Sequence, residues 1–160
     1  MTNIIIIVII DIMKTVIQRV KKASVKIDGK IKTEIAIGLL CLIGFKKDDS
    51  INDIEYTVQK IINLRIFEDE NKKMNLSAFT VSGEILFVPN FTLYGNCKRG
   101  LRPDFITAAD IETGRQLFEQ LKKHCETLKN IKIKFGVFQA SMEIELINDG
   151  PVTIILESRD

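Results

Sequence analysis

Leu39-Leu40-Cys41-Leu42-Ile43-Gly44-Phe45 is almost continuously apolar. A strand with one face in water alternates, so an unbroken run this short predicts a central strand buried on both faces. Its neighbours lie on either side in sequence. Upstream, Lys14–Val20 and Ser24–Ile27 alternate weakly as strands, and Asp28-Gly29 separates the second of them from Ile31–Ile35. Asp-Gly between two such runs is a strong hairpin signal, because a type I′ turn needs positive φ at both central residues. Downstream, past the charged loop Lys46–Ser50, the residues Ile54, Val58, Ile61 and Ile62 recur at helical spacing and predict an amphipathic helix over 51–64. Glu68–Lys73 reads as a charged turn. Glu84–Leu93 reads as a strand that Pro89 must end, bulge or hold at an edge, since proline has no N–H to give a ladder. Asp110 fits the N-cap of a second helix with the apolar stripe Leu117, Phe118, Leu121, Cys125 and Leu128. Ile131–Phe138, Met142–Ile147 and Val152–Leu156 read as the remaining strands, the last two joined by a turn at Asn148-Asp149-Gly150-Pro151. The fold class is α+β: one domain, mostly antiparallel sheet, with two main helices.

The 160 residues suit one domain, and 46% apolar residues exclude a disordered chain. Lys plus Arg total 23 against 21 Asp plus Glu, which excludes a polycation but leaves room for a local basic patch. Cys41, Cys97 and Cys125 are odd in number with no CxxC spacing. That argues against a disulfide framework or a structural zinc site and fits reduced thiols in a cytoplasmic protein. Residues 1–12 contain the unbroken run Ile4–Ile10, too short to span a bilayer and without the flanks of a secretory signal. Either this run is an extra edge strand, or Met13 is the true start and residues 1–12 are upstream sequence read through. The second reading is preferred, with 13–160 as the single domain.

Chemistry is scarce in the residues themselves. His124 is the only histidine and lies in the second helix beside Cys125, so it reads as a solvated or half-buried helical side chain. There is no HExxH, no P-loop and no GxGxxG. Glu68, Asp69 and Glu70 read as a solvated turn, and Glu143 with Glu145 as a surface pair on one strand face. No general base stands out, and no metal or cofactor is implied. Three segments remain: Val88–Leu93, where polar residues end an apolar strand; Asn148–Thr153; and the cationic loop Lys98-Arg99-Gly100-Leu101-Arg102-Pro103.

Met13–Val20, Ala23–Val25, Asp28–Lys30, Asn63–Phe67, Lys73–Ser77, Phe91–Tyr94 and Asn148–Thr153 occur in order across one short chain. Together they make the chain resemble the D-aminoacyl-tRNA deacylase family, also called D-tyrosyl-tRNA deacylase, from Met13 to about Glu157. The resemblance implies sheets rolled toward a barrel with the helices outside. It implies hydrolysis of the ester of D-aminoacyl-tRNA, and of glycyl-tRNA mischarged on alanine tRNA, by a cytoplasmic homodimer with its sites at the subunit interface. The segment matching Pro89, Asn90, Phe91 and Thr92 forms the catalytic wall. Gly150-Pro151, as a Gly–cis-Pro pair oriented by Arg19, reaches in from the other subunit. Phe138 and Met142 line the adenosine side, Met13 belongs to the substrate-binding set, and Lys98, Arg99 and Arg102 meet tRNA phosphates. A backbone wall of this kind rejects an L side chain by clash and lets a D side chain point outward.

An aminoacyl ester is already activated, so backbone N–H groups around Phe91 and Thr92 acting as an oxyanion hole, with help from the tRNA 2′-hydroxyl, would suffice. Thr92 as a nucleophile would need a partner base, and none is visible, so a positioning role is preferred. The sequence also departs from the family pattern. Pro89-Asn90 stand where Ser-Gln is usual, and Gln139 stands where Gly usually follows Phe138. Pro89 raises two alternatives: a tRNA-binding paralogue without catalysis, and the sister specificity for L-alanine mischarged on threonine tRNA.

Overall fold

The computed structural model describes residues 12–158; the expectations for residues 1–11 lie outside the described residues. Strand β1 (Lys14–Ile27) is followed by β2 (Lys30–Ile35), β3 (Gly38–Gly44), helix α1 (Ile51–Asn63), the short strands β4 (Phe67–Glu68) and β5 (Met74–Leu76), β6 (Glu84–Pro89), helix α2 (Ile111–Glu126), β7 (Lys132–Phe135) and β8 (Glu143–Glu157). The order in the main sheet is β2-β1-β3-β6-β7, with β8 on β1, while β4 and β5 form a separate ribbon. β1 pairs antiparallel with β2, β3 and β8, whereas β3–β6 and β6–β7 are parallel. The sheet is therefore mixed, with antiparallel pairing in the majority. No helix among the described residues is long and apolar enough to cross a membrane.

The apolar run that predicts a central strand is one. β3 lies between β1 and β6, and its alternate residues serve two separate cores. Leu39, Cys41 and Ile43 join Ile85 and Phe87 of β6 against the stripes of α1 and α2. Leu40 joins Leu86, Val88, Val20, Ala23, Val25 and Ile35 on the opposite face. This second cluster is closed by the curl of the sheet, which gives the near-barrel shape. Each fully buried aliphatic side chain contributes about 1.5–3 kcal/mol, so these two strands anchor both cores at once. The helices begin where the sequence predicts. Ser50 and Asp53 form a capping box at α1, and Asp110 Oδ1 accepts the Thr113 N–H at α2. Asp28 and Gly29 have φ of 50° and 71°, as a type I′ hairpin requires.

Three expectations change. Lys14–Val20 and Ser24–Ile27 are one strand, because Lys21 and Lys22 lie exposed on an element that β8 pairs along nearly its whole length. The strand expected from Ile131 to Phe138 is shorter, at Lys132–Phe135. Met142–Ile147 and Val152–Leu156 are likewise one strand, β8, running through the expected turn. Gln18 pairs with Thr153 and Val20 with Asn148, so Arg19 alone stands opposite residues 149–152 of β8, one against four, while Lys21 has no counterpart between the Val20–Asn148 and Lys22–Ile147 pairs. The surplus is bulged outward, and it carries Gly150-Pro151.

Candidate active site

β6 ends at Pro89, which lies opposite Ile43 of β3. The β7 ladder has already stopped at Phe87 opposite Phe135, so the missing proline N–H leaves no gap there. The Asn90 N–H donates to the Ile43 carbonyl at 2.8 Å and closes the strand. The chain then turns into a 3₁₀ helix, Phe91–Tyr94, where the sequence reading extends a strand to Leu93. Asn90 caps this turn: its Oδ1 accepts the Thr92 N–H at 3.2 Å and the Thr92 hydroxyl at 2.5 Å. Buried Tyr94 pins the other end by donating its hydroxyl to the Ile12 carbonyl at 2.7 Å. Phe91 is left 57% exposed, its ring edge-on to Phe105 at 5.1 Å. The expected pair of oxyanion donors is thus altered. The Thr92 N–H, one of the two expected, is engaged by Asn90.

A cleft of about 710 Å³ opens beside this turn. Pro89, Asn90 and Phe91 form one wall, Ile111 and Gly114 of α2 a second, and Phe138 and Met142 a third, over a floor that includes Val88 and Ile144. The volume lies in the range of small-ligand sites. A Cβ on Gly114 would come within 3.3 Å of the Phe138 ring, so a glycine in the second turn of α2 lets the helix seat against that ring. Arg115 lies over Phe138, 5.2 Å from the ring centre, and donates to Gln139 Oε1. Gln139 has φ of 63°, a conformation that glycine adopts without steric cost.

Gly150 and Pro151 are exposed and do not line the cleft. Their peptide bond is cis. Arg19, only 4% exposed, holds the bulge: Nε donates to the Asp149 carbonyl at 3.1 Å, and Nη1 donates to the Ile66 carbonyl at 2.6 Å. Its charge is met by the Asp149 carboxylate at 3.3 Å and Glu68 at 3.7 Å. Asn148 adds a second clasp, accepting the Val152 N–H at 3.0 Å and donating to the Val152 carbonyl at 3.1 Å.

Among the remaining expected site residues, Met13 is fully buried in the core beneath the helices, with no surface to offer a substrate. Lys98, Arg99 and Arg102 are exposed on a loop closed by the Asn96–Asp104 bridge, directly after the 3₁₀ helix. Thr92 is exposed beside Phe91 but is not itself a cleft wall. His124 lies away from the cleft, its Nδ1 3.9 Å from Glu55. Phe105, Ile111 and Gly114 were not anticipated, and only Gly114, a glycine among good helix formers, offers a hint in the sequence.

The sequence pattern of the family described as D-Tyr-tRNA(Tyr) deacylase matches residues 16–157. The D-aminoacyl-tRNA deacylase of Dictyoglomus turgidum is 51% identical over 148 residues, covering 92% of this chain and 94% of its own. That of Thermosipho africanus is 48% identical over 147 residues, covering 92% and 98%. Among solved structures, the c-Myc DNA unwinding element binding protein superposes with a TM-score of 0.85 at 38% identity, covering 92% of this chain and 99% of its own. With this coverage, and with the Pro89–Phe91 wall and the Arg19-held bulge in place, the chain belongs to the D-Tyr-tRNA(Tyr) deacylase family.

Proposed function

We propose that this protein hydrolyses the ester of D-aminoacyl-tRNA, and of glycyl-tRNA, at a site completed by a second copy of the chain. One observation carries the two-copy reading. The cleft wall Pro89–Phe91 and the exposed Gly150-Pro151 bulge are each held by hydrogen bonds, yet neither Gly150 nor Pro151 lines the cleft of its own chain. In a symmetric dimer each bulge would enter the partner's cleft. The cleft would take the terminal adenosine between Phe138 and Met142, and the ester carbonyl would meet the Phe91 N–H. Lys98, Arg99 and Arg102 would follow the phosphates, so binding should weaken steeply as salt rises. No carboxylate or imidazole among the described residues is poised in the cleft as a base. Asp110 lines it, but it is engaged as the α2 cap. That suits an ester which needs polarisation and a positioned water rather than a strong base. On this reading the protein works in the cytoplasm, where charged tRNA is used, and Thr92 positions rather than attacks.

The test is ester loss over time from D-Tyr-tRNA, L-Tyr-tRNA, Gly-tRNA and L-Ala-tRNA(Thr), run separately with the purified protein. Loss of the D and glycyl esters with the L ester spared supports a chiral proofreading hydrolase. tRNA binding with no loss above the spontaneous rate would favour a binding paralogue. Loss of Ala-tRNA(Thr) instead would indicate the sister specificity.

A further inference from the structure

We infer that Asn90 is a positioning residue that fixes the Thr92 hydroxyl as a hydrogen-bond acceptor toward the substrate. This rests on the deacylase reading above. Asn90 Oδ1 receives two bonds from the same residue, the Thr92 N–H and the Thr92 hydroxyl. Which end of the amide points inward is settled by the first of these. A backbone N–H only donates, so the atom facing it is the oxygen. An amide oxygen has no proton to give, so in the second bond the hydrogen belongs to Thr92 Oγ1.

Two consequences follow from that proton's position. The Thr92 hydroxyl hydrogen points at an amide oxygen, which cannot accept it as a base, so Oγ1 is not activated for attack. The lone pairs of Oγ1 face away from Asn90, on an exposed residue next to the cleft wall. The substrate group that matches them is a donor. An aminoacyl ester carries two near the reacting carbonyl, the α-ammonium and the ribose hydroxyl beside the ester. The shorter side chain, one methylene less than glutamine, suits it to this local role. An Asn at the cap reaches two residues on, and the pattern is that of an Asx turn.

The test compares wild type with Thr92→Val, Asn90→Ala, Asn90→Asp and the double variant Asn90→Ala/Thr92→Val in single-turnover hydrolysis of D-Tyr-tRNA. Thr92→Val should lower the rate about tenfold, the worth of one hydrogen bond, without accumulation of an acyl-enzyme. Asn90→Ala should lose a similar factor, and the double variant should lose little more than either alone. Asn90→Asp keeps both acceptor contacts and should restore most of the rate at neutral pH. It should also add an acidic limb to the pH profile that wild type lacks, because protonation of the new carboxyl removes an acceptor. Repeating Thr92→Val on 3-(4-hydroxyphenyl)propionyl-tRNA, which lacks the α-amino group, and on a 2′-deoxy-terminated substrate identifies the donor: the Thr92 effect vanishes with whichever group is missing.

An acyl group trapped on Thr92, or full additivity of the Asn90 and Thr92 losses, would overturn the inference. So would an unchanged rate in Thr92→Val. A wild-type protein inert toward every ester would instead remove the deacylase reading, and this inference with it.

Discussion

Gly150→Ala is the sharpest perturbation available. Gly150 has φ of 128°, a region essentially closed to other residues, and forcing alanine there costs about 1–3 kcal/mol. The added Cβ would also lie 2.7 Å from Val152 Cγ2, 3.0 Å from Arg19 Nη2 and 3.1 Å from the Val152 backbone nitrogen. None of the three can yield cheaply. Arg19 is buried and bonded to the Ile66 and Asp149 carbonyls, and the Val152 nitrogen is bonded to Asn148. Overpacking of this kind adds about 1–3 kcal/mol. The middle of the combined range is about 4 kcal/mol, and each 1.4 kcal/mol is a factor of ten, so the native bulge should fall in population by a factor of order 10²–10³. Deacylation of D-Tyr-tRNA, followed by release of free amino acid, should fall at least about 100-fold by this estimate. Gly29→Ala is the control: φ is 71°, but nothing lies within 4 Å of the new Cβ. It should cost only about 1–2 kcal/mol of stability and leave the rate unchanged. A Gly150→Ala protein with wild-type stability and a rate within threefold of wild type would refute both the clash and the placement of the bulge in the site.

Arg19→Lys keeps the charge but cannot bridge the Asp149 and Ile66 carbonyls together; it should lose about 2–4 kcal/mol in urea unfolding, and a loss below about 0.5 would contradict the geometry. Thiol labelling at neutral pH should modify Cys97 alone, since Cys41 and Cys125 are buried and react only on unfolding. Burial pushes the Cys125 thiol up from 9.0 to about 12 and raises Cys41 further. Unfolded thiols release protons that the folded ones retain, so stability is full below about pH 9 and falls as pH rises from there, which denaturation at pH 8 and 10.5 would reveal. The Thr113 N–H and then the Thr113 hydroxyl hold the Asp110 carboxyl below its usual value. Its cap is therefore complete above the ordinary carboxylate range and lost as pH falls through the depressed pKa; a carboxyl NMR titration with a normal midpoint would disprove this.

The framework was legible wherever burial imposes a local period. Leu39–Phe45 reads as two-faced because both its faces are buried, and the helical stripes read because each faces one core. The misreadings share a cause, which is pairing between distant segments. Asn148-Asp149-Gly150-Pro151 has the chemistry of a turn, yet β1 captures strand on both sides of it and makes one element of the whole. Pro89 was read as a place where the strand must end, bulge or lie at an edge, and it ends there, but nothing local announced the 3₁₀ helix, which depends on the Asn90 cap and on Tyr94 reaching Ile12. The cleft was half legible. Pro89–Phe91, Phe138 and Met142 came from the resemblance, while Phe105 and Ile111 arrive only when α2 docks. Met13, expected at the site, is claimed by the core instead.

The Gly150-Pro151 bulge sets one residue of β1 against four of β8, the unpaired Lys21 takes one residue back, and the evenness of the net surplus of two matters. Ile144 and Leu146 before it pack against one core and Val152, Ile154 and Leu156 after it against the other, on even-numbered positions throughout. A surplus of one would put one half of the strand out of phase and present its apolar side to water. Over evolutionary time a single-residue insertion or deletion in this segment should thus be purged unless β1 gains or loses a residue to match, while the Arg19 and Asn148 contacts hold the length of the Gly150-Pro151 tip itself. Reshaping of this loop in the laboratory should follow the same parity.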